Sequence, residues 1–241
     1  MGKMSKKTRL ILAIAIAVLV PLSFFIIAEM KGKGEIPMPG YFVSEKIISR
    51  TVDGKLEQDT IFHRTSDLKL TNQFGETVGL NSDLQGKILV VSFIYTACPS
   101  VCPKLTANMK MLQKAFRKDP KKEVSMNNEV HLISITVDPM RDSFQQMRRY
   151  ADRFQINHDH WWFLTGDRQA IYDFARNELR VSVQPEEGGA EDFLHTQKIV
   201  IIDQDRYIRG YYDGLDSLAL GKCAYDISLL SMEKKRSKKK K

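Results

Sequence analysis

Three kinds of hydrophobic pattern along the chain predict three kinds of element. Residues 10–28 are an uncharged apolar run, long enough for a membrane-spanning helix at about 1.5 Å per residue. Short runs rich in β-branched and aromatic residues, typical of buried strands, lie at 87–95, 131–137, 161–164, 198–203 and 207–212. Amphipathic segments, typical of helices, lie at 104–118, 144–154, 169–179 and 215–232.

The order of these segments predicts an α/β layer fold with a mixed sheet. Strands alternate with helices, and the last two strands are separated only by residues 204–206, which indicates an antiparallel hairpin. Two earlier hairpin turns are expected at Asp53-Gly54 and around Phe74-Gly75. We therefore predict one domain at 61–232, preceded by a linker and N-terminal extension at 29–60.

The positive charge of the chain is concentrated at its two ends. Of a net charge of +8, residues 1–9 carry +4 and residues 233–241 carry +6, so the stretch between them has a net charge of −2. A nucleic-acid-binding domain needs basic surface on its folded body, so no nucleic-acid partner is expected. Residues 233–241 are interpreted as a polybasic tail.

The charges that flank the apolar run predict its orientation in a membrane. Basic segments stay on the cytoplasmic side, so residues 1–9 are expected in the cytoplasm. The domain would then lie on the periplasmic side of a cell inner membrane, held by a single-pass anchor at 10–28. A cleaved signal peptide is the alternative, although the run is long and Ile27-Ala28-Glu29 is no small-x-small cleavage site. Either interpretation exports the domain to a compartment where thiols oxidise.

Two of the three cysteines, Cys98 and Cys102, follow the predicted strand at 87–95. Pro103 suits a first helical position, which makes Cys102 the expected cap residue of the next helix. The partial positive charge of a helix N-terminus favours thiolate over thiol. Two sulfurs four residues apart in a loop are able to form a disulfide or to hold one soft metal ion. From the residues alone, the pair is compatible with redox chemistry, with metal binding and with a purely structural role.

Other residues with ligand chemistry carry weaker signals. The segment 158–160 (His-Asp-His) is interpreted as a polar loop before an aromatic strand, in preference to a second metal site. Met109 and Met111 are two residues apart on a predicted helix and do not share a face, so neither is expected to bind metal. Cys223 is expected to be a half-buried thiol without a partner.

A series of ordered motifs begins near Asp67 and continues to the last predicted helix. The pieces are Phe-Ile-Tyr-Thr-Ala-Cys-Pro-Ser-Val-Cys-Pro at 93–103, Ile-Thr-Val-Asp-Pro-Met-Arg-Asp at 135–142, Leu-Thr-Gly at 164–166, His195-Thr196, and Tyr-Tyr-Asp-Gly at 211–214. In this combination the chain resembles the Sco/SenC family of thioredoxin-like copper proteins, which help to assemble cytochrome c oxidase. The resemblance implies a thioredoxin-like fold, with a central mixed sheet flanked by helices.

The resemblance also implies a site for one copper ion per chain, made by Cys98, Cys102 and His195. The donor chemistry agrees, because two thiolates suit Cu(I) and an added imidazole extends the site to Cu(II). Ser100 and Leu194 depart from the family, which often has an acidic residue at each of these positions. Family likeness would place Asp138 near the site, and capping of the helix that follows is the alternative.

The function implied by the resemblance is that of a membrane-anchored copper metallochaperone. Such a protein delivers copper to the binuclear copper centre of cytochrome c oxidase, or prepares the thiols of that centre. Its expected partners are the copper-bearing subunit of the oxidase, a copper donor protein and a thiol reductant. Alternatives are a thiol–disulfide oxidoreductase, in which Cys98 attacks and Cys102 resolves, and a redox or copper sensor.

Overall fold

A computed structural model describes residues 6–32, 37–52, 55–116, 128–181 and 196–239. The chain divides into two compact units, Met1–Pro37 and Met38–Lys241. The first unit contains helix α1 (Lys6–Gly32). Among the described residues, this is the one helix long and apolar enough to cross a membrane, over Lys6–Ile27 with a mean hydropathy of 3.0.

Two small antiparallel hairpins come first in the second unit. Their strands are β1 (Ser44–Val52) with β2 (Lys55–Phe62), and β3 (Lys69–Thr71) with β4 (Thr77–Gly79). Both hairpins occur where turns were expected. Gly75 adopts a φ of +84°, which glycine reaches without strain, whereas Asp53 and Gly54 lie outside the described residues.

A five-stranded sheet forms the centre of the second unit. Its strands are β5 (Ile88–Ile94), β6 (Val130–Thr136), β7 (Trp161–Leu164), β8 (Lys198–Ile202) and β9 (Ile208–Asp213). Their spatial order is β7-β6-β5-β8-β9. The pairs β5–β6 and β6–β7 are parallel, whereas β5–β8 and β8–β9 are antiparallel. The predicted mixed sheet is therefore confirmed.

Four α-helices lie in the described part of the second unit, and their positions follow the predicted segments. They are α2 (Val101–Ala115), α3 (Phe144–Arg153), α4 (Arg168–Asp173) and α5 (Ser217–Lys239). The segment 169–179 does not form one regular helix, because α4 changes into a π-helical turn at Phe174–Glu178. The predicted loop at 158–160 is a single 3₁₀ turn.

Helices cover both faces of the sheet. Every residue of β5 is buried, including Ser92, as the mainly apolar run predicted. Alternate residues of a strand point to opposite faces, and here they join two different core clusters. Ile88, Val90 and Ile94 cluster with residues of α2, α3 and α5; Leu89, Val91 and Phe93 cluster with residues of α4. The carboxyl end of β5 is thereby fixed from both sides.

Candidate metal centre

The two cysteines lie where β5 passes through a short loop into α2. The backbone N–H of Cys98 donates to the carbonyl of Tyr95 at 3.3 Å. The backbone N–H of Cys102 then donates to the sulfur of Cys98, also at 3.3 Å. The N-cap residue Ser100 makes no capping hydrogen bond with its side chain. The sulfur of Cys98 thus accepts one of the first-turn N–H groups that a helix leaves without a partner.

The expectation that Cys102 caps the helix is wrong. Helix α2 begins at Val101, so Cys102 and Pro103 are its second and third residues. Proline fits any place in the first turn, because those N–H groups have no partner inside the helix. The sequence signal from Pro103 therefore marked the correct turn and placed its start two residues too late.

Both cysteines are free thiols with little exposure, 8% for Cys98 and 6% for Cys102. Burial acts to raise the pKa of Cys98, but hydrogen bonds from the backbone N–H groups of Cys102 and Ser100 outweigh it, and the pKa falls below its usual value. For Cys102 burial dominates and raises the pKa to about 12. Helix α2 therefore favours the thiolate at Cys98 and not at both sulfurs.

Hydrogen bonds to neighbouring segments anchor helix α2, which carries Cys102. Asn108 Nδ2 donates to the carbonyl of Gly214 at 2.8 Å. The side chain of Gln113 bonds both backbone groups of Asn157, at 2.8 Å and 3.0 Å. These bonds join α2 to the β9–α5 connection and to the segment after α3, so Cys102 is held by an anchored helix and Cys98 by a loop.

Both cysteines line a pocket with a volume of about 1210 Å³. Its walls include aromatic side chains, among them Tyr95 and Tyr211, and the cationic residues Arg180 and Lys198. The two sulfurs therefore share access to a space large enough for a metal ion and for part of a partner. Thr196, the residue after His195, also lines this pocket.

His195 itself lies outside the described residues, as does Leu194. Among the described residues, no group of three or more His, Cys, Asp or Glu side chains has the arrangement of a metal site. The described part of the chain thus supplies two soft sulfur donors side by side, which fits a soft cation such as Cu(I).

Asp138 is not the helix cap that one interpretation of the sequence expected. Ser143 caps α3, where its hydroxyl accepts from the N–H of Gln146 at 3.3 Å. The Asp138 carboxylate lies 3.5 Å from Arg141 Nε, and burial raises its pKa. Asp138 is not among the residues that line the pocket. The acidic residue buried beside the cysteine loop is Asp142, at the end of the same motif. The sequence analysis did not identify Asp142 as a candidate.

The remaining candidates have structural roles. His158 contacts Asp152 Oδ1 at 2.9 Å and Gln73 Nε2 at 3.1 Å, as expected of an ordered polar loop. Met109 is fully buried in the core, and Met111 is exposed. Cys223 is fully buried and not half-buried as expected, because its position on α5 faces the core; burial raises its pKa to about 12.

Comparison with known proteins places this architecture in a family. The SCO1/SenC family model matches residues 57–221, which include the sheet and the cysteine loop. The chain belongs to the SCO1/SenC family. The resemblance drawn from the motifs and the thioredoxin-like fold that it implied are thereby confirmed.

Individual SCO1/SenC relatives agree with the family match. The SCO1 protein homolog of Bacillus subtilis (strain 168) is 30% identical over 165 residues, which cover 68% of this chain and 81% of the relative. BsSco, described as a member of the Sco family of cytochrome c oxidase assembly proteins with a disulfide switch, is 28% identical with a TM-score of 0.58, covering 70% of this chain and 94% of that one. Bradyrhizobium japonicum ScoI, solved with copper bound, is 27% identical with a TM-score of 0.53, covering 69% and 98%.

Proposed function

We propose that this SCO1/SenC protein binds one copper ion through Cys98, Cys102 and His195 and carries it to cytochrome c oxidase. The observation that carries the proposal is the pair of free thiols at the start of α2, which share one pocket. A relative with a similar fold has been solved with copper bound, and another belongs to a group of oxidase assembly proteins. Copper is the cargo of this protein.

The two sulfurs would act in order when copper arrives. Cys98 loses its proton more readily, because two backbone N–H groups donate to its sulfur and lower its pKa, so it is the first ligand. Cys102 keeps its proton until the metal displaces it, since thiol ligands bind as thiolates and metal binding releases protons. The helix-borne Cys102 then holds the ion while the loop-borne Cys98 is able to exchange with an incoming ligand.

His195 completes the proposed ligand set on the strength of the family resemblance. Its chain neighbour Thr196 lines the pocket of the two cysteines, which supports this assignment. An imidazole would add a nitrogen donor to two thiolates, and such a site holds Cu(II) as well as Cu(I). Carriage of either oxidation state is therefore compatible with the proposed site.

Location and partners form the next part of the proposal. Helix α1 has the length and composition of a membrane anchor, and the basic residues at 1–9 favour a cytoplasmic N-terminus. The domain would then lie on the periplasmic side of the inner membrane as a single-pass protein. There it would take copper from a donor protein, depend on a thiol reductant, and meet the copper-bearing subunit of the oxidase.

A thiol–disulfide oxidoreductase is the second candidate function. The observation that favours it is the opposite shift of the two thiols, with the pKa of Cys98 lowered and that of Cys102 raised to about 12. Cys98 would attack a substrate disulfide and Cys102 would resolve the mixed disulfide. Neither step needs an imidazole, so His195→Ala should leave this activity largely intact.

Copper transfer in vitro tests the proposed function. Full-length protein in detergent is loaded with one equivalent of Cu(I) and mixed with the metal-free, reduced domain of an oxidase that carries the binuclear centre. We expect copper to move to the oxidase domain, and we expect Cys98→Ser to hold too little copper for transfer. Cys223→Ser is the matched control, because that thiol is buried and does not line the pocket. Reduction of oxidase disulfides without copper transfer would favour the second candidate.

A further inference from the structure

A buried carboxylate, that of Asp142, lies beside the cysteine loop and has no role in the site described above. Only 1% of Asp142 is exposed. Its oxygens accept hydrogen bonds from the backbone N–H of Thr96 at 3.0 Å, the hydroxyl of Thr96 at 2.5 Å and the hydroxyl of Thr136 at 2.5 Å. Thr96 precedes Cys98 by two residues, and Thr136 ends β6. The carboxylate therefore joins the cysteine loop to the neighbouring strand.

Asp142 is itself held in place. Its backbone N–H donates to the carbonyl of Asp138 at 2.9 Å, and the N–H of Asp138 donates to Thr136 Oγ1 at 3.0 Å. A further bond reaches the loop from α3, where Gln146 Nε2 donates to Thr96 Oγ1 at 3.3 Å. Thr96 cannot shift without breaking bonds to a fixed turn and to a helix.

Asp142 is held by uncharged partners. Its three donors are the backbone N–H of Thr96 and the hydroxyls of Thr96 and Thr136, and the ion pairs of the described residues do not include it. Buried polar groups need hydrogen-bond partners, and Asp142 finds two of its three on Thr96. The carboxylate and the cysteine loop are therefore directly bonded to each other.

We propose that Asp142 is a positioning residue for the dithiol: through Thr96 it fixes the loop that carries Cys98, so that both sulfurs stay within bonding reach of each other. Cys102 is fixed by α2, whereas Cys98 lies in the loop before that helix. Asp142 adds a tie between this loop and the neighbouring strand, and it acts through Thr96. The inference rests on one premise of the proposed function, that the two sulfurs act as a pair.

The equilibrium of the metal-free dithiol with oxidised glutathione tests this role without copper. In the reaction the Cys98–Cys102 disulfide forms, the disulfide bond of glutathione breaks, and the two thiol protons end on two molecules of reduced glutathione. The equilibrium constant therefore measures how well the chain holds its sulfurs together. Full-length protein in detergent is compared with Asp142→Ala and with Thr96→Val, which remove opposite partners of the same contact.

We expect both variants to lower this equilibrium constant, by about tenfold for Asp142→Ala, because a factor of ten corresponds to the net stabilisation by about one hydrogen bond. Ser92→Ala is the control, because it removes a buried hydroxyl contact of 3.0 Å between Ser92 and Ser134 in the same sheet. It should lower the stability of the fold and leave the glutathione equilibrium unchanged.

An unchanged equilibrium constant in the folded variants, with stability lowered as in Ser92→Ala, would overturn the inference. A wild-type protein that forms no disulfide within the chain would overturn it as well. If Asp142→Ala does not fold, Thr96→Val decides the question. Failure of the wild type to bind copper would count against the proposed function and not against Asp142, because no metal takes part in this test.

Discussion

The backbone N–H of Cys102 donates to the sulfur of Cys98 at 3.3 Å. Together with the N–H of Ser100, this contact makes the two thiols unequal, because it stabilises negative charge on one sulfur with an N–H group that belongs to the other residue. An N–H donor favours the thiolate of the residue that accepts it. At Cys102 a hydrogen bond with the backbone of Tyr95 acts in the same direction, but burial outweighs it and raises the pKa to about 12.

Alkylation should therefore distinguish the two thiols. The thiolate is the nucleophile, so iodoacetamide at pH 8 should label Cys98 well before Cys102 in the reduced, metal-free protein. Peptide mass spectrometry at timed intervals measures the two rates. Cys223 should stay unlabelled until the protein is unfolded, because it is fully buried. Labelling of Cys102 first, or of both thiols at one rate, would contradict this account of the contact.

His63 joins two carboxylates from separate elements. Its Nδ1 lies 2.7 Å from Glu45 of β1, and its Nε2 lies 2.9 Å from Glu178 of the π-helical turn. Both ring nitrogens must donate to serve two carboxylates, so the ring is protonated in this arrangement. Burial acts to lower the pKa of His63, but the bonds to Glu45 and Glu178 outweigh it and the pKa rises above 6.5.

The stability supplied by this junction should depend on pH. The contribution of His63 is complete below pH 6.5 and is lost as pH rises through its higher folded pKa. For Glu178, burial acts to raise the pKa, but hydrogen bonds from Ser66 and His63 outweigh it and lower the pKa below 4.5. The contribution of Glu178 to stability is therefore present above pH 4.5 and is lost as pH falls through its folded pKa. His63→Gln should thus lower the free energy of unfolding most between pH 4.5 and 6.5, by about 1–2 kcal/mol.

Urea unfolding at pH 5.5 and pH 8.5, followed by circular dichroism, measures that dependence. The difference between wild type and His63→Gln should shrink at pH 8.5. His158→Gln provides a comparison, since among the described residues His158 pairs with one carboxylate, that of Asp152, and does not join two. An equal cost of His63→Gln at both pH values would show that the junction does not depend on the charge of the ring.

Two glycines near the C-terminal helix should respond in opposite ways to alanine. At Gly214 an added Cβ would lie 2.2 Å from Leu105 Cδ1 and 2.8 Å from the carbonyl oxygen of Gln197. At Gly221, inside α5, it would meet nothing within 4 Å. Gly214→Ala should destabilise the fold by about 1–3 kcal/mol through overpacking, whereas Gly221→Ala should stabilise it by up to about 1 kcal/mol. Thermal unfolding of the two variants measures both effects, and a stabilising Gly214→Ala would contradict the packing of α2 against this turn.

The elements that sequence predicted best are those whose pattern is local. The segment 161–164 was predicted with both of its ends correct. The mainly apolar run at 87–95 predicted β5, which is one residue shorter at each end and buried along its whole length. The cysteine motif likewise marked the loop before α2. Local periodicity is sufficient in these cases because burial decides the conformation.

Features that depend on distant partners were not predictable in the same way. In the first turn of α2 the N–H of Cys102 bonds to the sulfur of Cys98, a contact that no sequence pattern indicated, and the start predicted from Pro103 was two residues too late. The bonds of Asp142 reach Thr96, 46 positions away, and no local pattern announces them. The junction at His63 spans 115 positions to Glu178. Such contacts become visible only when the fold brings the chain segments together.

Copper binding by the reduced full-length protein in detergent decides whether the proposed three-ligand site exists. We expect close to one copper per chain, with a thiolate-to-Cu(II) charge-transfer band that is lost in Cys98→Ser and in His195→Ala and kept in Cys223→Ser. Reduced protein that takes up no tightly bound copper, yet exchanges disulfides readily, would contradict the copper site and leave the oxidoreductase as the function of the pair.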